Sequence, residues 1–128
     1  MSGLVVDTSV WIDFFAGRPA KALEDGLAQG AVTLPPIVVA ELVSGARVEK
    51  HRAAISDLVR DLPLHDTPVD HWLRVGDLRR RLAEKGLAVS TPDAHVAQSA
   101  IDRDALLPTR DAVFDRIAKA TTLRVGRG

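Results

Sequence analysis

Five short apolar runs punctuate the chain: GLVV at 3–6, AVTL at 31–34, LPLHD at 62–66, ALLP at 105–108 and TTLRV at 121–125. Each has strand length and is rich in leucine or β-branched residues, the pattern of a buried strand. Helix-length segments separate them. PAKALEDGLAQG (19–30) ends in Gly30 as a helix stop, and PPIVVAELVSGARV (35–48) opens with prolines suited to a first helical turn. Further on, Val69, Trp72, Val75, Leu78 and Leu82 recur at helical spacing, with Asp70/Arg74 and Asp77/Arg81 as four-residue charge pairs on the solvated side. Strand alternating with helix predicts a parallel sheet covered by helices. No internal repeat or low-complexity tract interrupts it.

The polar positions that break this pattern carry the chemistry. In a parallel sheet, ligand-binding groups collect beyond the carboxyl ends of the strands. Asp7 follows the first run directly, in LVVDTSVWIDFF, and Asp111 follows the fourth, in LLPTRDAVF. Asp93 opens a helix after Pro92 in STPDAHVAQSA. Glu41 lies in PPIVVAELVSGA, where its one-turn neighbours Ile37, Val38, Ser44 and Gly45 offer no positive charge, so an inward-facing, uncompensated carboxylate is expected there. Each acid has an ordinary alternative. Asp7, Thr8 or Ser9 would cap a helix, as would Asp93 or Asp111, and Glu41 would enter an ion pair. Four acids meeting at one edge of the sheet repel one another, and their convergence calls for protons or a divalent cation. An all-oxygen set favours Mg²⁺ or Mn²⁺. Zinc usually takes cysteine or histidine; the chain has no cysteine, and His51, His65, His71 and His95 show no H-E-x-x-H spacing, so they are read as ordinary.

Composition narrows the classes. A chain of 128 residues with 46% hydrophobic content suits one domain spanning 1–128. Basic and acidic side chains balance at 17 each, but residues 1–45 hold two basic and five acidic groups, so the positive charge lies away from the first carboxylates. Any nucleic-acid surface is therefore local. Arg79, Arg80 and Arg81 concentrate charge on one helix, and Arg110 stands beside the fourth acid. The lack of cysteine excludes disulfides and thiol catalysis, and no run approaches the roughly 18 apolar residues of a membrane span. With no signal-like start, a soluble cytoplasmic protein is expected. Trp11, Phe14 and Phe15 are candidates for core or for a partner surface.

Together, VVDTSVWIDFF, PPIVVAELVSG, TPDAHVAQSA and LPTRDAVF resemble the four acidic blocks of the PIN-domain ribonucleases, and more narrowly those of VapC toxins. The resemblance implies a three-layer α/β/α fold with strand order 3-2-1-4-5. It also implies Mg²⁺- or Mn²⁺-dependent hydrolysis of RNA leaving a 5′-phosphate and a 3′-hydroxyl, inhibition by a VapB-type antitoxin, a homodimer and a toxin–antitoxin hetero-oligomer. Carried over by position, it makes Asp7, Glu41, Asp93 and Asp111 the catalytic, metal-holding cluster, with Ser9 and Thr109 as polar supports. Asp7 and Asp93 would be direct or water-mediated ligands, Glu41 a ligand or orienter of water, and Asp111 an outer partner. One departure stands out: many relatives carry D-x-D-F at the fourth block, whereas this chain has Val113 at the second acidic place. Two other classes compete. A haloacid-dehalogenase-like or receiver-like phosphotransfer domain would place D-x-D at the start, where D-T-S stands, and a lysine after a late strand, where LLPTRD offers arginine. A PIN-like module that only binds RNA or protein would have no electrostatic reason to keep four acids.

Overall fold

The computed structural model describes residues 3–128, so Met1 and Ser2 of the expected domain lie outside the described residues. The sheet is parallel throughout. Strand β1 (Leu4–Val5) pairs with β2 (Val32–Thr33) on one side and with β3 (Leu106–Thr109) on the other, and β3 pairs with β4 (Arg124–Arg127). Leu4 lies opposite both Val32 and Leu106, which fixes β1 at the centre of the order β2-β1-β3-β4.

Four of the five expected runs are strands. The run at 62–66 shrinks to a single parallel bridge between Leu34 and Leu64, closed by the Leu34 N–H donating to the Pro63 carbonyl (2.9 Å) and the His65 N–H donating to the Leu34 carbonyl (2.7 Å). Pro63 has no N–H to extend the ladder, and Leu64 is exposed, so pairing stops after one step at the sheet edge. The bridge lies beyond β2, and with it counted the five runs follow the expected order 3-2-1-4-5.

Among the described residues seven helices flank the sheet: α1 (Thr8–Phe15), α2 (Lys21–Ala28), α3 (Pro36–Gly45), α4 (Glu49–Arg60), α5 (Val69–Glu84), α6 (Thr91–Asp102) and α7 (Val113–Ala120). Pro36 and Pro92 occupy first-turn positions of α3 and α6, where a missing N–H costs nothing. Past the end of α2, Gly30 takes φ +65°, which a side chain would resist. Helix α2 packs close to the sheet through Gly26, whose position leaves no room for a Cβ beside Leu4. The core gathers Val5 and Val6, Trp11 of α1, Leu23 of α2, Val38 of α3, and Phe114 and Ile117 of α7. Helix α6 is buried without interruption from Ala94 to Ala100, the mark of a central helix rather than a surface one.

The expected stripe on α5 holds only in its second half. Val75, Leu78 and Leu82 are buried, but Val69 is 72% and Trp72 40% exposed. His71 takes the inward position in the first turns, because it finds partners on α6 there. Trp11 is fully buried against Phe14 and Phe15, so at least part of that aromatic group is core. Among the described residues no helix is long and apolar enough to cross a membrane.

Candidate active site

Asp7 sits where β1 hands over to α1. Its N–H donates to the Pro108 carbonyl (3.0 Å), tying the end of β1 to β3. Its extended backbone and its side chain make it the N-cap of α1. Oδ2 accepts the Ser9 N–H (3.3 Å), the Ser9 hydroxyl (2.6 Å) and the Thr109 hydroxyl (3.0 Å). Each hydroxyl then uses an oxygen lone pair on the loop after β3: Ser9 Oγ accepts the Arg110 N–H (3.0 Å), and Thr109 Oγ1 accepts the Asp111 N–H (3.0 Å). Ser9 and Thr109 thus link the Asp7 carboxylate to the backbone that leads into Asp111. Among the described residues these bonds all fall on Oδ2, leaving Oδ1 uncommitted. The helix cap and the first candidate acid are one residue.

Asp93 lies in the first turn of α6, its N–H donating to Oγ of the N-cap Ser90 (3.2 Å). Burial pushes its carboxyl group above the ordinary carboxylate range. A side-chain hydrogen bond from Ser90 to the carboxylate opposes that rise, and the negative charges of Asp111, Asp7 and Glu41 add to it. The fold therefore brings all four sequence-predicted acids into one electrostatic neighbourhood.

Glu41 corrects the inward-facing expectation. Val38 and Leu42 form the buried face of α3, and Glu41 is exposed beside it, with Oε1 accepting the Thr8 hydroxyl at 2.7 Å. Thr8, which the sequence offers only as a possible cap, thus contacts one of the four candidate acids. Its place between Asp7 and Ser9 was the available signal. Asp111 is also exposed, its Oδ1 accepting the Val113 N–H (3.0 Å). The residue that replaces the second acid of D-x-D-F thus contributes its backbone to the fourth acid.

The arginines proposed for RNA contact have internal partners. Arg110 pairs with Asp13 and donates to the Pro19 carbonyl, and Arg79 donates to the Val89 carbonyl. Arg80 spans Asp77 (2.6 Å) and Glu84 (2.7 Å), while Arg81 meets Asp77 at 3.0 Å. Beside Glu41 opens an apolar groove of about 380 Å³, walled by Ile12, Phe15, Leu42, Val48 and Ile55.

The family model of the PIN domain matches residues 4–120. The chain belongs to the PIN-domain family. Within that family it stands with the VapC proteins, being 30% identical over 132 residues to Ribonuclease VapC11 of Mycobacterium tuberculosis and to a VapC ribonuclease of Mycobacterium bovis. Those alignments cover 94% of this chain and 96% of each relative. Among solved structures, this PIN domain superposes on VapBC-5 from Mycobacterium tuberculosis with a TM-score of 0.72 and 27% identity, over the whole of both chains. It superposes on VapBC2 from Rickettsia felis, bound to a promoter DNA fragment, with a TM-score of 0.78 and 23% identity over 97% of each chain, a likeness of fold.

Proposed function

We propose that this PIN domain is an endoribonuclease toxin that hydrolyses RNA phosphodiester bonds with Mg²⁺ or Mn²⁺ and is silenced by a VapB-type antitoxin. The observation that carries this reading is the shared neighbourhood of Asp7, Glu41, Asp93 and Asp111, in which burial and three like charges raise the carboxyl pKa of Asp93. Its donors are oxygens only, and its surplus of negative charge suits a hard cation. Asp7 and Asp93 would hold the ion, with Glu41 and Asp111 beside them. Held there, a divalent cation would supply a lowered pKa for an attacking water and charge stabilisation at the scissile phosphate.

The chain's own residues set the geometry. Ser9 and Thr109 lock Oδ2 of Asp7, so Oδ1 is presented in one orientation. The Thr8 hydroxyl fixes one oxygen of Glu41, leaving the other to orient water. Ser9 and Thr109 also hold the backbone before Asp111, which keeps the fourth acid in register with the first. Arg110, Arg79, Arg80 and Arg81 would contribute to RNA binding by exchanging their internal partners.

The antitoxin reading draws on the VapBC relatives and on the apolar groove that opens beside Glu41. An apolar segment with one basic side chain could lie in that groove and reach the acids. A homodimer working in the cytoplasm completes the proposal.

The test is to map the 5′ ends of RNA cut in cells after brief induction, beside an Asp7→Asn control, and to repeat cleavage with purified protein. Cleavage should need Mg²⁺ or Mn²⁺ and vanish in the control. Identical cut sites in both samples, or full cleavage in excess EDTA, would sink the assignment. Antitoxin binding is tested by trimming basic tail residues from a cognate VapB; undiminished inhibition would refute charge insertion into the cleft.

A further inference from the structure

Three of the four histidines of this chain meet in one buried cluster. His65 follows the Leu34–Leu64 bridge, His71 belongs to the first turns of α5, and His95 lies in the second turn of α6, two residues after Asp93. Asp102, the last residue of α6, completes the group. Asp93 opens the same helix, and nine residues of α-helix place the two ends about 14 Å apart.

The nitrogens do not balance as an ordinary hydrogen-bonded core. His71 Nε2 lies 2.7 Å from His95 Nδ1, and His71 Nδ1 lies 3.2 Å from Asp102 Oδ2. If His71 donates to Asp102 and His95 donates to His71, those contacts are satisfied. His65 then takes no part: it is only 8% exposed, and neither ring nitrogen has a partner among the described residues. Buried polar atoms left in that state call for an explanation, and a bound ion is one of the few available.

We propose that His65, His71 and Asp102 form a second cation site, for a borderline transition metal of the zinc class, which clamps the loop before α5 to the packed α5–α6 pair. One ligand atom from each of the three lies within 4.8 Å of the others. Zinc–ligand distances of about 2.0–2.1 Å in a tetrahedron put neighbouring ligand atoms about 3.3 Å apart. The 3.2 Å between His71 Nδ1 and Asp102 Oδ2 already has that separation. His65 closes the rest by a small shift, and it stands in a loop rather than in a helix or strand, where such a shift is easiest.

Binding needs no net proton release. The His71 proton moves from Nδ1 to Nε2 and the His95 proton from Nδ1 to Nε2, a buried nitrogen without a partner among the described residues, so that His71 Nε2–H donates to His95 Nδ1 and the Nδ1 lone pair of His71 faces the ion, whose binding offsets the unpaired His95 N–H. A metal-bound histidine oriented through its other nitrogen is the common arrangement. Gln98 donates to Asp102 Oδ1 (2.8 Å) and holds the carboxylate in place. Arg74 opposes the ion, since its guanidinium meets Asp102 Oδ2 at 2.9 Å; at 48% side-chain exposure it has room to swing into solvent.

The experiment uses the full chain, stripped with EDTA and dialysed, and titrated with Co²⁺ and then Zn²⁺. Histidine-ligated Co²⁺ of low coordination gives visible absorption bands far stronger than an all-oxygen octahedral site gives. One equivalent should produce such bands, and Zn²⁺ should displace them. Asp93→Asn should keep them, His65→Ala should weaken binding by about tenfold or more, and Arg74→Gln should tighten it. A signal indifferent to His65→Ala, one abolished by Asp93→Asn, or the absence of a one-equivalent signal would overturn the proposal. Because Co²⁺ absorption is read without RNA, a chain that failed to cleave RNA would leave this result standing, and the reverse holds too.

Discussion

Asp7 caps α1 and, in the proposed function, also holds the ion, and the two roles separate under substitution. In Asp7→Asn, the amide oxygen can occupy the Oδ2 position and still accept from the Ser9 N–H, the Ser9 hydroxyl and the Thr109 hydroxyl. The bonds lose their charge assistance, but the fold also sheds one of four clustered negative charges. Hydrogen bonds to charged groups exceed neutral ones by about 1 kcal/mol, so these opposed effects leave the variant within about 1 kcal/mol of wild type. Asp7→Ala removes the acceptor altogether. It forfeits a helix cap, about 1 kcal/mol, and strands the hydroxyl proton of Thr109, which is 1% exposed and cannot turn to water, about another 1–3 kcal/mol. For a domain of this size the difference corresponds to roughly 5–15 °C in melting temperature. Thermal melts in EDTA, read beside cleavage in Mn²⁺, should show Asp7→Asn folded and inactive, and Asp7→Ala inactive and clearly less stable. If Asp7→Asn melts as low as Asp7→Ala, the cap does not survive amide substitution; if it still cleaves, Asp7 is only a cap.

Asp93→Asn and Glu41→Gln should abolish cleavage while leaving the melting temperature in EDTA at pH 7 unchanged or higher, since each removes a like charge; a large loss of stability in both would return these acids to structural duty. Thr8→Val frees Glu41 and should lower kcat about tenfold without loss of fold, with Thr8→Ser restoring it; an unaltered rate in Thr8→Val would show that the Thr8 contact does not position Glu41. The Arg18 hydrogen bond, opposed by burial and reinforced by Arg110, holds the Asp13 carboxyl below its ordinary value. Its contribution to stability is therefore present above the unfolded pKa near 4 and lost as pH falls through the lower folded value. Asp13→Asn should flatten the decline in melting temperature as the pH falls below about 4 and, by freeing Arg110, tighten RNA binding; an unchanged acid limb would rule out the link.

Much of this architecture can be read from local pattern. Asp7 and Asp111 follow strand-like runs, and Asp93 follows a proline that suits a helix start, so their placement at one end of the sheet needed only the rules of parallel α/β connection. Glu41 was placed in the right neighbourhood on the wrong face. Helix α3 is apolar nearly all round, with Ile37 and Val39 partly buried beside Val38 and Leu42, so periodicity does not say which side turns inward. The run at 62–66 fell short of a strand because Pro63 cannot donate. The histidine cluster is illegible from spacing: His71 and His95 stand 24 positions apart and Asp102 is 31 from His71, and only the packing of α5 on α6 brings them together.

Helix α6, enclosed from Ala94 to Ala100, sets an order of melting. Amide protons in a helix shut off on every side exchange only when the molecule opens globally, whereas Glu41 and Asp111 ride on exposed surface that can open by local fluctuation. Asp93 is fixed to the most durable part of the molecule and its partners to more yielding parts. On warming, the acids should drift apart before the fold gives way, so cleavage should fail at a lower temperature than the helical circular dichroism of the chain.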